Sequence, residues 1–167
     1  MFYKMIENKC TQWYESERCT VKNLIEYIEK TGQMRDAQIE AIKVYLFLKI
    51  ACECKPLTQL FRQGFFNSID LNEIELSKST REYLFQNPAA ATLFEYACLT
   101  NDKVEQVSEK LEKQIKKDPT GIDYNEFFRN AFYGVSYTDY LFSLPMGAGK
   151  TYLMAAFIYL DLYFAYN

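Results

Sequence analysis

Along most of the chain, apolar positions recur at helical rather than strand spacing. Phe2 to Tyr14 predicts a first helix carrying Met5, Ile6 and Trp13. Thr20 is placed to cap a helix over Val21–Lys30, with Leu24, Ile25 and Ile28 inward and Gly32 closing it. Arg35 to about Cys54 reads as a long helix that Pro56 ends. Its apolar residues, among them Ile39, Ile42, Val44, Leu46, Phe47 and Leu48, cover more than one face, so this helix is expected to be central. A short helix fits Leu57 to Phe65, and Asn67 to Leu76 is ambiguous, part of it loop.

A further helix fits Thr80 to Gln86. Asn87-Pro88 interrupts it, and Pro88 suits the first turn of the next helix, through Leu99. Asn101 or Asp102 begins the most regular amphipathic stretch, with Val104, Val107, Leu111 and Ile115 on one face. Glu109/Lys113 and Glu112/Lys116 are favourable i,i+4 pairs on the other. Asp118-Pro119-Thr120-Gly121 stops this helix. Asp123 with Glu126 has the form of a capping box opening a helix to Tyr133, and Gly134 ends that one.

The pattern changes near the carboxyl end. From Asn130 onward the charged residues are Asp139, Lys150 and Asp161 alone. Tyr140-Leu141-Phe142-Ser143-Leu144 is short, apolar and aromatic, and predicts a buried strand; Tyr152 to Tyr166 predicts a helix. Two regions are therefore expected: a helical region over 1–134 and a different kind of domain beginning at 135–167.

Composition narrows the classes. The chain has 167 residues, of which 13 Phe, 14 Tyr and 1 Trp argue against disorder. A net charge of −3 does not suit a chain that binds nucleic acid by overall electrostatics. Histidine is absent, so no Ser-His-Asp or Cys-His nucleophile can be assembled. The five cysteines contain no Cys-x-x-Cys pair, and Cys52-Glu53-Cys54 lacks partners for a zinc site. Thiols in a reducing cytosol are the expectation, and no charged-then-apolar leader opens the chain. The longest apolar stretch, Tyr152 to Tyr166, contains Asp161 and is too short to span a bilayer.

One stretch names a chemistry: Leu144-Pro145-Met146-Gly147-Ala148-Gly149-Lys150-Thr151. A polyphosphate needs backbone N–H groups converging on its oxygens, and glycines let the chain approach closely enough. Gly147, Ala148 and Gly149 would cradle phosphate through their amides. Lys150 would pair with phosphate charge, and the Thr151 hydroxyl would ligate Mg²⁺. The following helix would turn its amino end toward the anion. The plainer alternative is a glycine-rich turn between two buried elements, with Lys150 solvated.

A second segment pairs with it. Gln33-Met34-Arg35-Asp36-Ala37-Gln38-Ile39-Glu40-Ala41 resembles the glutamine motif that precedes the phosphate loop in superfamily 2 helicases and translocases. With the loop, the chain resembles the amino-terminal part of a DEAD/DEAH-type ATPase, most like the helicase subunits of type III restriction enzymes and related defence helicases. The resemblance implies a mainly α fold: a multi-helix bundle followed by the first strand, phosphate loop and helix of a truncated RecA-like domain. It also implies ATP and Mg²⁺ as ligands, Gln38 as the reader of adenine, and double-stranded DNA and further helicase lobes as partners of the parent protein.

The chain departs from that family in three ways. Leu144 replaces a small residue. No Asp-Glu-x-x box follows the loop, and no second lobe with an arginine finger is present. Phosphoryl transfer depends on those parts, so ATP hydrolysis by this chain alone is not expected. Two rival readings stand beside the helicase: a non-enzymatic helical interaction module with a vestigial loop, and a small phosphotransferase. In the helix after the loop, Leu153, Ala156, Phe157, Leu160 and Phe164 form a stripe that must be covered, either by the chain's own helices or by another copy; self-association is the expectation, since an exposed patch of that size is unusual on a monomer.

Overall fold

A computed structural model describes residues 2–99, 105–134, 140–144 and 146–166. Its helices are α1 (Phe2–Glu15), α2 (Lys22–Thr31), α3 (Asp36–Ile50), α4 (Leu57–Arg62), α5 (Lys78–Gln86), α6 (Pro88–Cys98), α7 (Glu105–Lys117), α8 (Tyr124–Ala131) and α9 (Lys150–Tyr166), with a 3₁₀ turn at Pro119–Gly121. The mainly helical expectation holds. The predicted helix start at Asn101 or Asp102, Val104, and the predicted regional boundary at 134/135 on its carboxyl side lie outside the described residues, as does Pro145.

The strand expected at Tyr140–Leu144 is corrected: these residues run as irregular backbone, and no strand occurs among the described residues. A lone strand leaves its N–H and C=O groups without a ladder. The segment meets its apolar pattern differently. The Phe142 ring packs against Tyr45 and Phe157, with centroids 6.3 and 5.0 Å away.

The helices group into two compact units, Met1–Lys9 with Lys55–Asp139 and Cys10–Cys54 with Tyr140–Asn167. The segment that carries the glycine-rich turn therefore shares a unit with α2 and α3.

In the first unit, α6 is buried on most sides through Ala89, Ala90, Ala91, Leu93, Phe94 and Ala97. Pro88 sits in its first turn, as the sequence predicts, and Asn87 caps it by accepting from the Ala90 N–H. An aromatic cluster fills the centre: Phe2 lies 4.8 Å from Phe61 and 4.4 Å from Tyr96, and Phe61 lies 4.6 Å from Phe66. Glu95 is buried among these apolar groups, yet its carboxylate accepts from Ser68 N–H at 2.8 Å, Ser68 Oγ at 2.6 Å and Ile69 N–H at 3.1 Å. Three donors offset the desolvation of a buried charge. They also pin the irregular segment between α4 and α5 to the core. The wet face of α7 carries both predicted pairs, Lys113–Glu109 at 3.2 Å and Lys116–Glu112 at 2.7 Å. Asp123 accepts from the Glu126 N–H and starts α8.

In the second unit, α3 is central as predicted, with Ile39, Ile42, Val44, Leu46, Phe47 and Leu48 all buried. It ends at Ile50, earlier than the sequence reading. Glu53 and Cys54 both adopt positive φ, 53° and 54°, which no helix accommodates. Thr20 does not cap α2; its N–H bonds back to Arg18 O, and the helix starts behind Val21 without a side-chain cap. Trp13 packs 5.7 Å from Phe47.

Helix α9 lies along α3. Leu153 and Leu160 are buried, and Ala156, Phe157 and Phe164 are half-buried, so the stripe that needed a cover finds it within its own unit. Phe157 stacks on Tyr45 at 4.4 Å. The Asp161 carboxylate accepts from both the Tyr45 hydroxyl and the Lys49 ammonium. No helix among the described residues is long and apolar enough to cross a membrane. No disulfide forms among the cysteines.

Candidate functional site

The glycine-rich turn and the amino end of α3 meet within the second unit. Gly147 and Gly149 have φ of +78° and +74°, the left-handed region that a side chain strains. Gly149 is the cap residue of α9: its carbonyl accepts from the N–H groups of Tyr152 and Leu153, both at 3.1 Å. The next two N–H groups, of Lys150 and Thr151, find no acceptor among the described residues. They head a helix of 17 residues, whose dipole adds positive potential at that end.

Gln38 of α3 and Arg35, the residue just before α3, hold the turn. Gln38 Nε2 donates to Gly149 O at 2.9 Å, across 111 positions of sequence. The other half of the same amide, Oε1, accepts from Arg35 N–H at 2.8 Å and caps α3. The Arg35 guanidinium donates to Gly147 O. A third tie runs the other way, from the Tyr152 hydroxyl to Gly32 O at 2.8 Å.

These ties fix the direction of the peptide dipoles. In a trans peptide the C=O and N–H point in opposite directions. Holding Gly147 O toward Arg35 turns the Ala148 N–H away from it. Holding Gly149 O toward Gln38 does the same for the Lys150 N–H. The two carbonyls are thus engaged, and the Ala148 and Lys150 N–H groups point away from Arg35 and Gln38 respectively. Ala148 is buried, whereas Gly147, Gly149, Lys150 and Thr151 are exposed.

All six residues singled out from the sequence, Gln38, Gly147, Ala148, Gly149, Lys150 and Thr151, therefore lie in one unit, and Gln38 contacts the turn directly. The role of Gln38 looks different in the structure. It is 3% exposed, and both ends of its amide are bonded to backbone. Reading adenine would need the same donor and acceptor. The sequence motifs do not mark Arg35 or Tyr152 as site residues. The arginine three positions before the glutamine was on view in the motif, but its partner Gly147 is 112 positions away.

No carboxylate faces the turn through a described bond. Asp161 lies on α9 well beyond Thr151, and its pKa is held below the ordinary carboxylate value by the bonds from Lys49 and Tyr45. Burial, and then the bond to Asp161, pushes the Tyr45 phenol up. No group of three or more His, Cys, Asp or Glu side chains suited to a metal occurs among the described residues. In the first unit, a separate open cleft between α4 and α8 has its acidic groups already engaged. Asp123 caps α8, and Glu126 lies 3.9 Å from Arg129.

The chain matches no protein-family model, no curated protein and no solved structure.

Proposed function

We infer that the Gly147–Thr151 turn binds the phosphates of ATP, and that the chain supplies the nucleotide-binding part of a superfamily 2 DNA helicase or translocase, most like those of type III restriction systems. The observation that supports this most is the bond from Gln38 to Gly149: the two motifs on which the resemblance rests are joined although 111 positions separate them.

In this reading the phosphate oxygens accept from the N–H groups of Ala148, Lys150 and Thr151, and the Lys150 ammonium balances their charge. Gln38 and Arg35 are positioning residues for the turn. The open space beside Gly147, where an added Cβ would meet nothing within 4 Å, leaves room for an anion to approach the backbone. These residues fit a polyphosphate. They fit Mg²⁺ only in part, since Thr151 supplies one hydroxyl and no carboxylate among the described residues completes a site. Mg²⁺ would therefore arrive with the nucleotide, which supplies most of its oxygens, and would screen phosphate charge there. With no acidic box in the sequence, binding without turnover is expected. Double-stranded DNA enters only through the resemblance, as a partner of the larger enzyme.

Titration with a fluorescent ATP analogue in the presence of Mg²⁺ tests the reading. Saturable binding that Lys150→Ala weakens at least tenfold, without phosphate release, is expected. Binding that is absent, or indifferent to Lys150→Ala, would favour the rival reading of a helical interaction module. Sustained, Lys150-dependent phosphate release would instead show that the catalytic parts are present in a form unlike the family's.

A further inference from the structure

One face of α9 packs on α3, and the opposite face is exposed and apolar. Met154 is 59% exposed, Ile158 58%, Tyr159 61%, Leu162 52% and Tyr166 85%. Single exposed apolar residues are ordinary, but a continuous stripe of them is not. This stripe also has a defined period. Ala155, Ile158, Leu162 and Ala165 are all exposed and follow one another at intervals of three, four and three. That is the seam spacing of a helix that packs against another helix. The small residues toward the seam's ends allow close approach, and the large pair fills the middle.

We propose that this seam joins two copies of the chain, with the α9 helices antiparallel about a two-fold axis level with residue 160. Antiparallel pairing sets Ile158 against Leu162 and Ala155 against Ala165 from each copy, large on large and small on small. A two-fold interface uses the same patch twice, so one self-complementary face is sufficient. Charge places no obstacle. The charged residues of α9 are Lys150 and Asp161, neither is on the seam, and Asp161 is already bound to Lys49. The tyrosine hydroxyls of Tyr159 and Tyr166 are set to form a wet rim.

The area is sufficient. An aromatic side chain buries about 150–250 Å² when covered, and Met, Ile and Leu less. At the exposures above, the face offers on the order of 600 Å² per copy, and about 1,200 Å² for the pair reaches the lower bound of stable interfaces. The seam does not depend on nucleotide binding, and its failure would leave that reading untouched.

Sedimentation analysis of the full chain over a range of concentrations tests the pairing. A concentration-dependent mass approaching twice 19.7 kDa is expected. Leu162→Glu and Ile158→Glu, both at exposed positions, should each return the single-chain mass with an unchanged helical circular dichroism spectrum. Tyr133→Glu, an exposed apolar position in the other unit, should leave the pair intact. If the glutamate variants do not fold, disulfide trapping decides. In a Cys54→Ser background, an equal mixture of Ala155→Cys and Ala165→Cys chains should cross-link, and neither alone should do so comparably. A single-chain mass throughout, a polydisperse aggregate, a pair indifferent to Leu162→Glu, or cross-linking that ignores the choice of position would each overturn the proposal.

Discussion

Replacing Gly149 by alanine separates a turn held by α3 from one that merely lies near it. Gly149 has φ of +74°, and an alanine there carries the left-handed penalty of about 1–2 kcal/mol. The added Cβ would also sit 2.6 Å from Gln38 Nε2. That nitrogen ends a flexible side chain, so the contact alone is cheap to relieve. The bonds it must give up are not. Gln38 is buried, and moving it away breaks the bond to Gly149 O and leaves an amide donor unpaired, at about 1–3 kcal/mol. Gly147→Ala is the control. Its φ of +78° imposes a similar backbone penalty, but nothing lies within 4 Å of the new Cβ. Gly149→Ala should therefore cost about 1–3 kcal/mol more than Gly147→Ala.

A double-mutant cycle isolates the cause. In a Gln38→Ala background the obstacle is gone, and Gly149→Ala should cost no more than its backbone penalty. The single tryptophan, Trp13, is buried against Phe47 in the same unit, so its fluorescence in a urea titration reports this unit specifically. Equal costs for the two glycine variants, or a Gly149→Ala cost that survives Gln38→Ala, would show that Gln38 does not hold the turn.

Three further outcomes follow from the packing. Leu46→Asp, at a position with no exposure, should abolish the cooperative urea transition or lower stability by several kcal/mol, because it buries an unpaired carboxylate; a wild-type transition would show that α3 is not central. Asp161 has a folded pKa below its unfolded value, so its contribution is complete above the unfolded pKa and is lost as pH falls through the folded one. The urea midpoints of wild type and Asp161→Asn should therefore differ at neutral pH and converge in acid, below the ordinary carboxylate pKa of about 3.9; a constant difference would refute this. Glu95→Ala should free the segment between α4 and α5, read as faster proteolysis near Ser68 and Ile69, with a loss of about 2 kcal/mol or more as their donors lose a buried acceptor; unchanged cleavage would count against the clasp.

Local chemistry was legible wherever a short stretch contains both the signal and its partner. Asn87-Pro88 starts α6, Asp123 starts α8, and Asp118 to Gly121 stops α7, because caps bond within three or four residues. The long run of apolar residues in α3 correctly marked a helix buried on several sides. Readings failed where the deciding partner was elsewhere or of another kind. Thr20 had the chemistry of a cap, but α2 begins at Lys22 with Val21 in the cap position, which leaves Thr20 one residue too early. Tyr140 to Leu144 had the composition of a strand, yet a strand requires a neighbour to pair with. The segment's aromatic ring found helices instead. The site lies between these cases. Its residues could be named from the motifs, but the direction of the Gln38 amide could not, since its acceptor lies beyond the reach of any local pattern.

That amide sets a choice which nucleotide selectivity can expose. Gln38 anchors the turn with the same donor and acceptor that adenine recognition would need. One side chain cannot do both at full strength. If it remains on Gly149, the base is not read through it, and its contribution to affinity comes from keeping the Lys150 N–H pointed outward. Gln38→Ala should then weaken ATP and GTP analogues by the same factor, because both share the phosphates and differ in the base. The penalty for loosening a pre-arranged turn is modest, about the value of one hydrogen bond, 0.5–1.5 kcal/mol, or roughly two- to tenfold in affinity. If nucleotide instead draws Gln38 off Gly149 and onto the base, the loss will fall on ATP and spare GTP. Equal losses support anchoring, and a loss confined to ATP would refute it.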